Sequence, residues 1–229
     1  MNLNKLIKNI LYLIVFVLLG SCGILKSPSS KVAGPVYVNL DTDSGRIVLK
    51  LSDKTPLHRD NFVKLIKDHF YDGLLFHRVV NDFMIQGGDP DSKNAKPGEV
   101  LGLGDLKYTI PAEFDTSLFH KRGALAAARE ADENNPKKES SSTQFYIVDG
   151  TTYTDNQLNE IEQQLHIHIP KNHSEFYKTV GGDPFLDMSY TVFGEVVSGM
   201  DVVEKIAHIA KDENNRPLQD IHMKMSIAR

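Results

Sequence analysis

The sequence predicts a mainly β fold: a closed antiparallel barrel of seven or eight short strands, capped by two helices and carrying a partly helical insertion. Three observations predict it. Short β-branched, alternating runs recur between turn formers from residue 36 onward. One early and one late stretch carry helical periodicity outside the insertion. The 229-residue chain, 41% hydrophobic and 24% charged, has the composition of one globular domain with a sizeable core.

Residues 1–21 precede that domain. Lys5 and Lys8 form a short positive region, no charge follows from Asn9 to Ser21, and the stretch ends Leu19-Gly20-Ser21-Cys22. The apolar core, Leu11 to Leu19, is shorter than the ~20 residues of a comfortable membrane span. It fits the apolar region of a secretory signal followed by small residues at a cleavage site. Residues 22–34 are rich in Ser, Pro, Lys and Gly and read as a flexible tether. Cys22 is the single cysteine, so no intramolecular disulfide can form.

The domain proper spans residues 35–229. Val36 to Leu40 and Arg46 to Leu51 alternate around Asp43-Ser44-Gly45, a hairpin signal. Thr55 as N-cap and Pro56 at the first helical position open a helix whose Phe62, Leu65, Ile66 and Phe70 share one face. Asp72-Gly73 is expected to end it. Leu74 to Val80 and Phe83 to Gly87 read as a strand pair, and residues 91–106 as a long loop. Tyr108 to Ile110, Gly123 to Ala128 and Gln144 to Val148 are further strand candidates, with a polar loop over Arg129 to Ser142. The insertion, about 150–184, holds two helical patterns, Asp155 to Leu165 and Ser174 to Val180. Thr191 to Val197 is a strand, Met200 to Ala210 an amphipathic helix, and His222 to Ala228 a closing strand that turns Met223 and Met225 inward.

Several function classes are excluded. The net charge is −4 and becomes −6 without residues 1–21, and no basic stripe interleaves with aromatics, so nucleic acid is not an expected partner. No phosphate loop and no G-x-S-x-G elbow occur. His166, His168 and His173 lack the spacing of a metal set, and no metal or cofactor is expected. What stands out is Phe76 to Pro90, where Arg78 lies a few residues from Phe83, Met84 and Gln86. A lone cation beside an apolar pocket suits a reaction that redistributes charge within an amide without breaking a covalent bond. Rotation about the bond preceding a proline is such a reaction.

Two resemblances sharpen these expectations. The N-terminus resembles a bacterial lipoprotein signal. This implies cleavage before Cys22, diacylation of its thiol and a lipid anchor, with ~0.8 kcal/mol of membrane affinity per buried CH₂. Gly23 is not an acidic retention signal, which favours the outer membrane facing the periplasm. The domain resembles the cyclophilin family of peptidyl-prolyl isomerases through Phe76-His77-Arg78, Phe83 to Asp89, Gly123 to Ala128, Gln144-Phe145-Tyr146 and Val192-Phe193-Gly194. The resemblance implies an eight-stranded barrel and a monomeric enzyme acting on proline-containing polypeptide clients. It assigns Arg78 as the catalytic residue, and Phe83, Met84 and Leu186 as walls for the proline ring. Gln86 orients Arg78, Ala128 and Arg129 offer backbone to an extended substrate, and Gln144 is a polar wall. Tyr146, Phe185 and Tyr190 stand where phenylalanine, tryptophan and histidine are usual. The rival expectation is a non-catalytic proline-peptide-binding or holdase module in the same groove.

Overall fold

The computed structural model describes residues 34–228. The expected signal segment, Cys22 and the tether up to residue 33 lie outside the described residues. β1 (Tyr37–Thr42) and β2 (Gly45–Leu51) form the first hairpin, with Val38, Leu40, Ile47, Leu49 and Leu51 all buried on one face. β3 (Phe76–Val80), β4 (Met84–Gly87), β6 (Ala124–Ala127) and β8 (Phe145–Val148) follow in the main sheet. β9 (Val192–Ser198) and β10 (Met223–Ile227) complete it, while β5 (Thr109–Ile110) pairs with β7 (Ser140–Ser141) apart.

The main sheet has eight antiparallel strands in the order β10-β1-β2-β9-β6-β8-β4-β3 and is curled strongly into a half-barrel. Its end strands meet at an isolated bridge, Leu75↔His222, with Phe76 N–H donating to Ile221 O at 2.9 Å and Met223 N–H to Leu74 O at 2.8 Å. No continuous ladder joins them. Past Phe76 the β3 backbone turns to another partner, Val79 N–H donating to Asn215 O.

The concave face holds the main core. Strand alternation sends Ile85, Leu125, Phe145 and Ile147 inward to meet α1 (Pro56–Lys67) and α4 (Met200–Ala207). Met223 and Met225 join this core. The same alternation turns Met84, Ala126, Tyr146 and Val148 to the opposite face, where they form a second apolar cluster. The pairing Gln86↔Tyr146 and Ala126↔Tyr146 sets three neighbouring strands in register there.

Helix ends depart from expectation for local reasons. Thr55 occupies the N-cap of α1, but its side chain makes no capping bond. The Glu113 carboxylate, 55 residues away, accepts from His58 N–H at 3.0 Å and from Leu57 N–H at 3.1 Å. An anion at a helix N-terminus does what a cap would. α1 stops at Lys67 rather than Asp72-Gly73, because His69 takes a left-handed φ of 56° and swings Tyr71 into the core. α4 stops at Ala207, three residues before the expected Ala210.

The insertion folds around its own small core. α2 (Asp155–Leu165) opens with a Thr154/Gln157 capping box, and α3 (Lys171–Thr179) begins behind Pro170, three residues earlier than the periodicity predicts. Leu158, Ile161, Ile169 and Tyr177 pack together against Phe119. No helix among the described residues is long and apolar enough to cross a membrane.

Candidate active site

Arg78 projects from β3 beside a hollow of about 160 Å³ on the outer face of β4 and β8. Phe83, Met84, Tyr146 and Leu186 supply its apolar walls, and Gln86, Ala128, Arg129 and Tyr190 complete the lining. The expected site residues therefore converge, with two exceptions. Gln144 lies behind Gln86 in an adjoining hollow of about 430 Å³. Phe185 is 43% exposed and does not line the proline-sized hollow.

Arg78 is half-buried. Its Nη1 donates to Gln86 Oε1 at 3.3 Å and lies 3.9 Å from Met84 Sδ, while the guanidinium sits 5.8 Å from the centre of the Phe83 ring. No carboxylate pairs with it among the described residues. Burial lowers its pKa, so the charge is held in a poorly solvated position. Gln86 is held in turn: its Nε2 donates to Gln144 Oε1 at 3.0 Å, and Gln144 Nε2 donates to the carbonyls of Gly104 and Gly102 at 2.7 and 3.1 Å. Each amide orientation follows from the next, back to fixed backbone.

The opposite wall is polar outside and apolar within. Arg129 Nε donates to Ser189 O at 2.7 Å, and its guanidinium lies 4.4 Å from the centre of the Tyr190 ring. Tyr190 meets Tyr146 edge-on at 6.0 Å. The Tyr146 hydroxyl, buried and pushed well above its ordinary pKa by that burial, meets His120 Nε2 at 3.0 Å. Ala128 corrects one expectation. Its N–H donates to Gln144 O and its carbonyl accepts from Ser141 N–H, so its backbone already serves the fold. The Arg129 N–H and carbonyl make no hydrogen bond among the described residues and remain open to a substrate strand.

His77 is 3% exposed, and neither ring nitrogen has a partner among the described residues. Burial pushes its pKa down to about 4; the Asp89 charge opposes this, and Arg78 and Arg216 add to it. His77 is therefore neutral at pH 7 and is no proton donor for the site. The unfolded chain takes up that proton near pH 6.5, so the native state loses stability as pH falls from about 6.5 to 4. The loss attributable to His77 is about 3–4 kcal/mol at most, taking roughly 1.4 kcal/mol per pKa unit. Denaturant unfolding of wild type and His77→Gln across that window measures it: the variant's profile is expected to be flatter. Parallel profiles would reject the assignment.

Sequence reasoning passed over Glu113, His120, Tyr177 and Asp187. Each is a single polar residue in unremarkable sequence, and only long-range contacts reveal it. The discounted histidines have ordinary surroundings: His168 meets Glu162 at 3.0 Å and His173 stacks on Phe119 with centroids 3.8 Å apart.

A family model described as cyclophilin type peptidyl-prolyl cis-trans isomerase/CLD matches residues 37–168 and 166–227. A putative peptidyl-prolyl cis-trans isomerase of Staphylococcus saprophyticus is 32% identical over 188 residues, covering 80% of this chain and 86% of the relative. One from Staphylococcus aureus strain USA300 is 32% identical over 194 residues, covering 82% and 89%. Among solved structures, a Cryptosporidium parvum cyclophilin type peptidyl-prolyl cis-trans isomerase superposes with a TM-score of 0.61 at 21% identity, covering 86% of this chain and 99% of that one. The structure obtained in the presence of the dipeptide Ala-Pro gives 0.60 at 21% identity, covering 84% and 99%. At that identity the two superpositions bear on the fold.

Proposed function

Because the chain belongs to the cyclophilin-type peptidyl-prolyl cis-trans isomerase family, and is accordingly a peptidyl-prolyl isomerase, we propose that Arg78 is its catalytic residue and that it works on extracytoplasmic clients from a lipid anchor at Cys22. The observation that carries the first half is a half-buried guanidinium without a carboxylate partner among the described residues, at the edge of a proline-sized hollow.

Amide resonance sets a rotation barrier of ~18–20 kcal/mol. In the twisted transition state that resonance is lost, and the proline nitrogen becomes pyramidal and gains a lone pair. A guanidinium N–H aimed at that nitrogen binds the twisted form more strongly than either planar isomer, which is what lowers a barrier. The hollow formed by Phe83, Met84, Tyr146 and Leu186 would grip the proline ring while the preceding carbonyl turns. That carbonyl sheds negative charge as it twists, and a less polar setting favours the change. The open backbone of Arg129 would hold the peptide as a strand. No proton moves, in keeping with a neutral, enclosed His77.

The anchor rests on Leu19-Gly20-Ser21-Cys22 after a short apolar segment. We read the envelope, at the outer membrane facing the periplasm, as the site of action and the enzyme as a monomer acting on proline-containing polypeptides. The same reading takes the curled sheet as a closed barrel, supported by the backbone bonds between Leu74–Phe76 and Ile221–Met223. Two measurements address the two halves, the first run also on Arg78→Ala, which should lose most of the acceleration. Exchange spectroscopy on a short X-Pro peptide is expected to show faster cis–trans exchange with the chain lacking residues 1–22. Full-length protein should take up labelled palmitate in a bacterial host, and Cys22→Ser should not. Peptide binding without faster exchange would instead identify a holdase. Equal labelling of Cys22→Ser would remove the anchor.

A further inference from the structure

The proline-binding wall is tied to the insertion through a closed line of buried polar contacts. Tyr177, on α3, is fully buried, and its hydroxyl donates to Asp187 Oδ2 at 2.6 Å. Asp187 Oδ1 accepts from both the backbone N–H and the Nδ1 of His120, each at 2.9 Å. In the tautomer that carries its proton on Nδ1, facing the carboxylate, His120 presents a bare Nε2, which accepts from the Tyr146 hydroxyl at 3.0 Å. Every donor and acceptor along the line is matched, in a setting where an unmatched one is costly.

The line meets the hollow at two points. Tyr146 is one wall, and Asp187 directly follows Leu186, another wall. The insertion also closes over His120 along the backbone. Gly182, at φ +153°, passes so near that a β-carbon there would lie 2.3 Å from His120 O, and Asp183 N–H donates to the same carbonyl at 2.7 Å. The helices of the insertion do not themselves line the hollow. Their influence must travel through contacts.

We propose that Tyr177, Asp187 and His120 are positioning residues that fix the Tyr146 ring for the bound proline, so that the insertion is a working buttress of the isomerase site. This rests on the reading of that hollow as the proline site. Tyr177→Phe keeps the ring and removes one hydroxyl. It is expected to lower kcat/KM by about three- to ten-fold, the range of one net intramolecular hydrogen bond. The loss should fall chiefly on KM, since the walls grip both isomers.

The test is a double-mutant cycle with Tyr146→Phe, read by peptide exchange. Without the Tyr146 hydroxyl the line ends in nothing, so adding Tyr177→Phe to Tyr146→Phe should change kcat/KM by less than about two-fold. Asp187→Asn serves as a second variant and should follow the same pattern. The His120 ring-nitrogen NMR signals should shift in Tyr177→Phe. Equal losses in both backgrounds, or no loss in either, would overturn the buttress while leaving the isomerase reading intact. Absence of exchange catalysis by the wild type would defeat the isomerase reading itself, and the buttress with it.

Discussion

Arg78→Ala is expected to lose about 10²–10³-fold in kcat/KM for X-Pro exchange, the usual consequence of removing one preorganised donor from a developing charge. The fold should survive. The guanidinium is held by Gln86 Oε1 at 3.3 Å, with Met84 Sδ at 3.9 Å and the Phe83 ring beside it, none of them a charge partner, and is already short of solvent. Removing a desolvated cation with no carboxylate partner among the described residues relieves a cost, so the alanine variant should unfold no earlier than wild type. Activity and stability then move independently. Lysine keeps the charge but has neither the planar fork nor the reach of guanidinium, and should recover little. The measurement is exchange spectroscopy at equal concentrations of folded protein, with circular dichroism as the control. A rate near wild type in Arg78→Ala would mean the hollow catalyses by desolvation alone.

Much of this site is legible in the sequence because it lies on β3, β4 and β8, short strands whose alternation can be read locally. Phe83, Met84 and Gln86 are separated by one or two residues, and a strand needs no distant information to sort Met84 and Gln86 from Ile85. The β1–β2 hairpin and the start of α1 are legible for the same reason. What failed to show were features set by distant partners. Glu113 caps α1 from a loop, leaving Thr55 at the right position without its expected bond. The family resemblance places Phe185 at the groove, but Pro184–Leu186 is a 3-10 turn. At three residues per turn, successive side chains diverge by about 120°, so Leu186 reaches the hollow while Phe185 faces outward. Ala128 likewise has its backbone engaged by Gln144 and Ser141, pairings a linear reading cannot see. The same limit explains the barrel: alternation identifies strands, but whether the end strands zip together depends on where β3 and β10 diverge.

The largest stability effect is expected at Phe145, the residue between Gln144 and Tyr146. Its neighbours face the groove; Phe145 faces the core, 1% exposed. It meets Phe62, Tyr71 and Phe76 edge-on, with centroids 5.5, 5.7 and 6.1 Å away. These rings bring together α1, the turn that follows it, β3 and β8, so truncation opens a cavity where four segments meet. Phe145→Ala should therefore cost about 3–5 kcal/mol, and a cluster of interlocked rings has little freedom to collapse into the space. Phe145→Leu, which retains most of the volume, should cost clearly less. Urea unfolding measures both, with an unchanged slope showing that the midpoint shift reports stability. The Phe145 backbone pairs with Gly87 and Ala127, and those ladders remain when the ring is gone. Below the unfolding transition Phe145→Ala should then retain kcat/KM within several-fold, because Arg78, Gln86 and Tyr146 are carried by the opposite face of the same strands. A cost under about 1 kcal/mol would mean that the aromatic cluster does not anchor β8. A hundred-fold loss of activity with little loss of stability would mean that the two faces of the strand are not the separate devices their alternation implies.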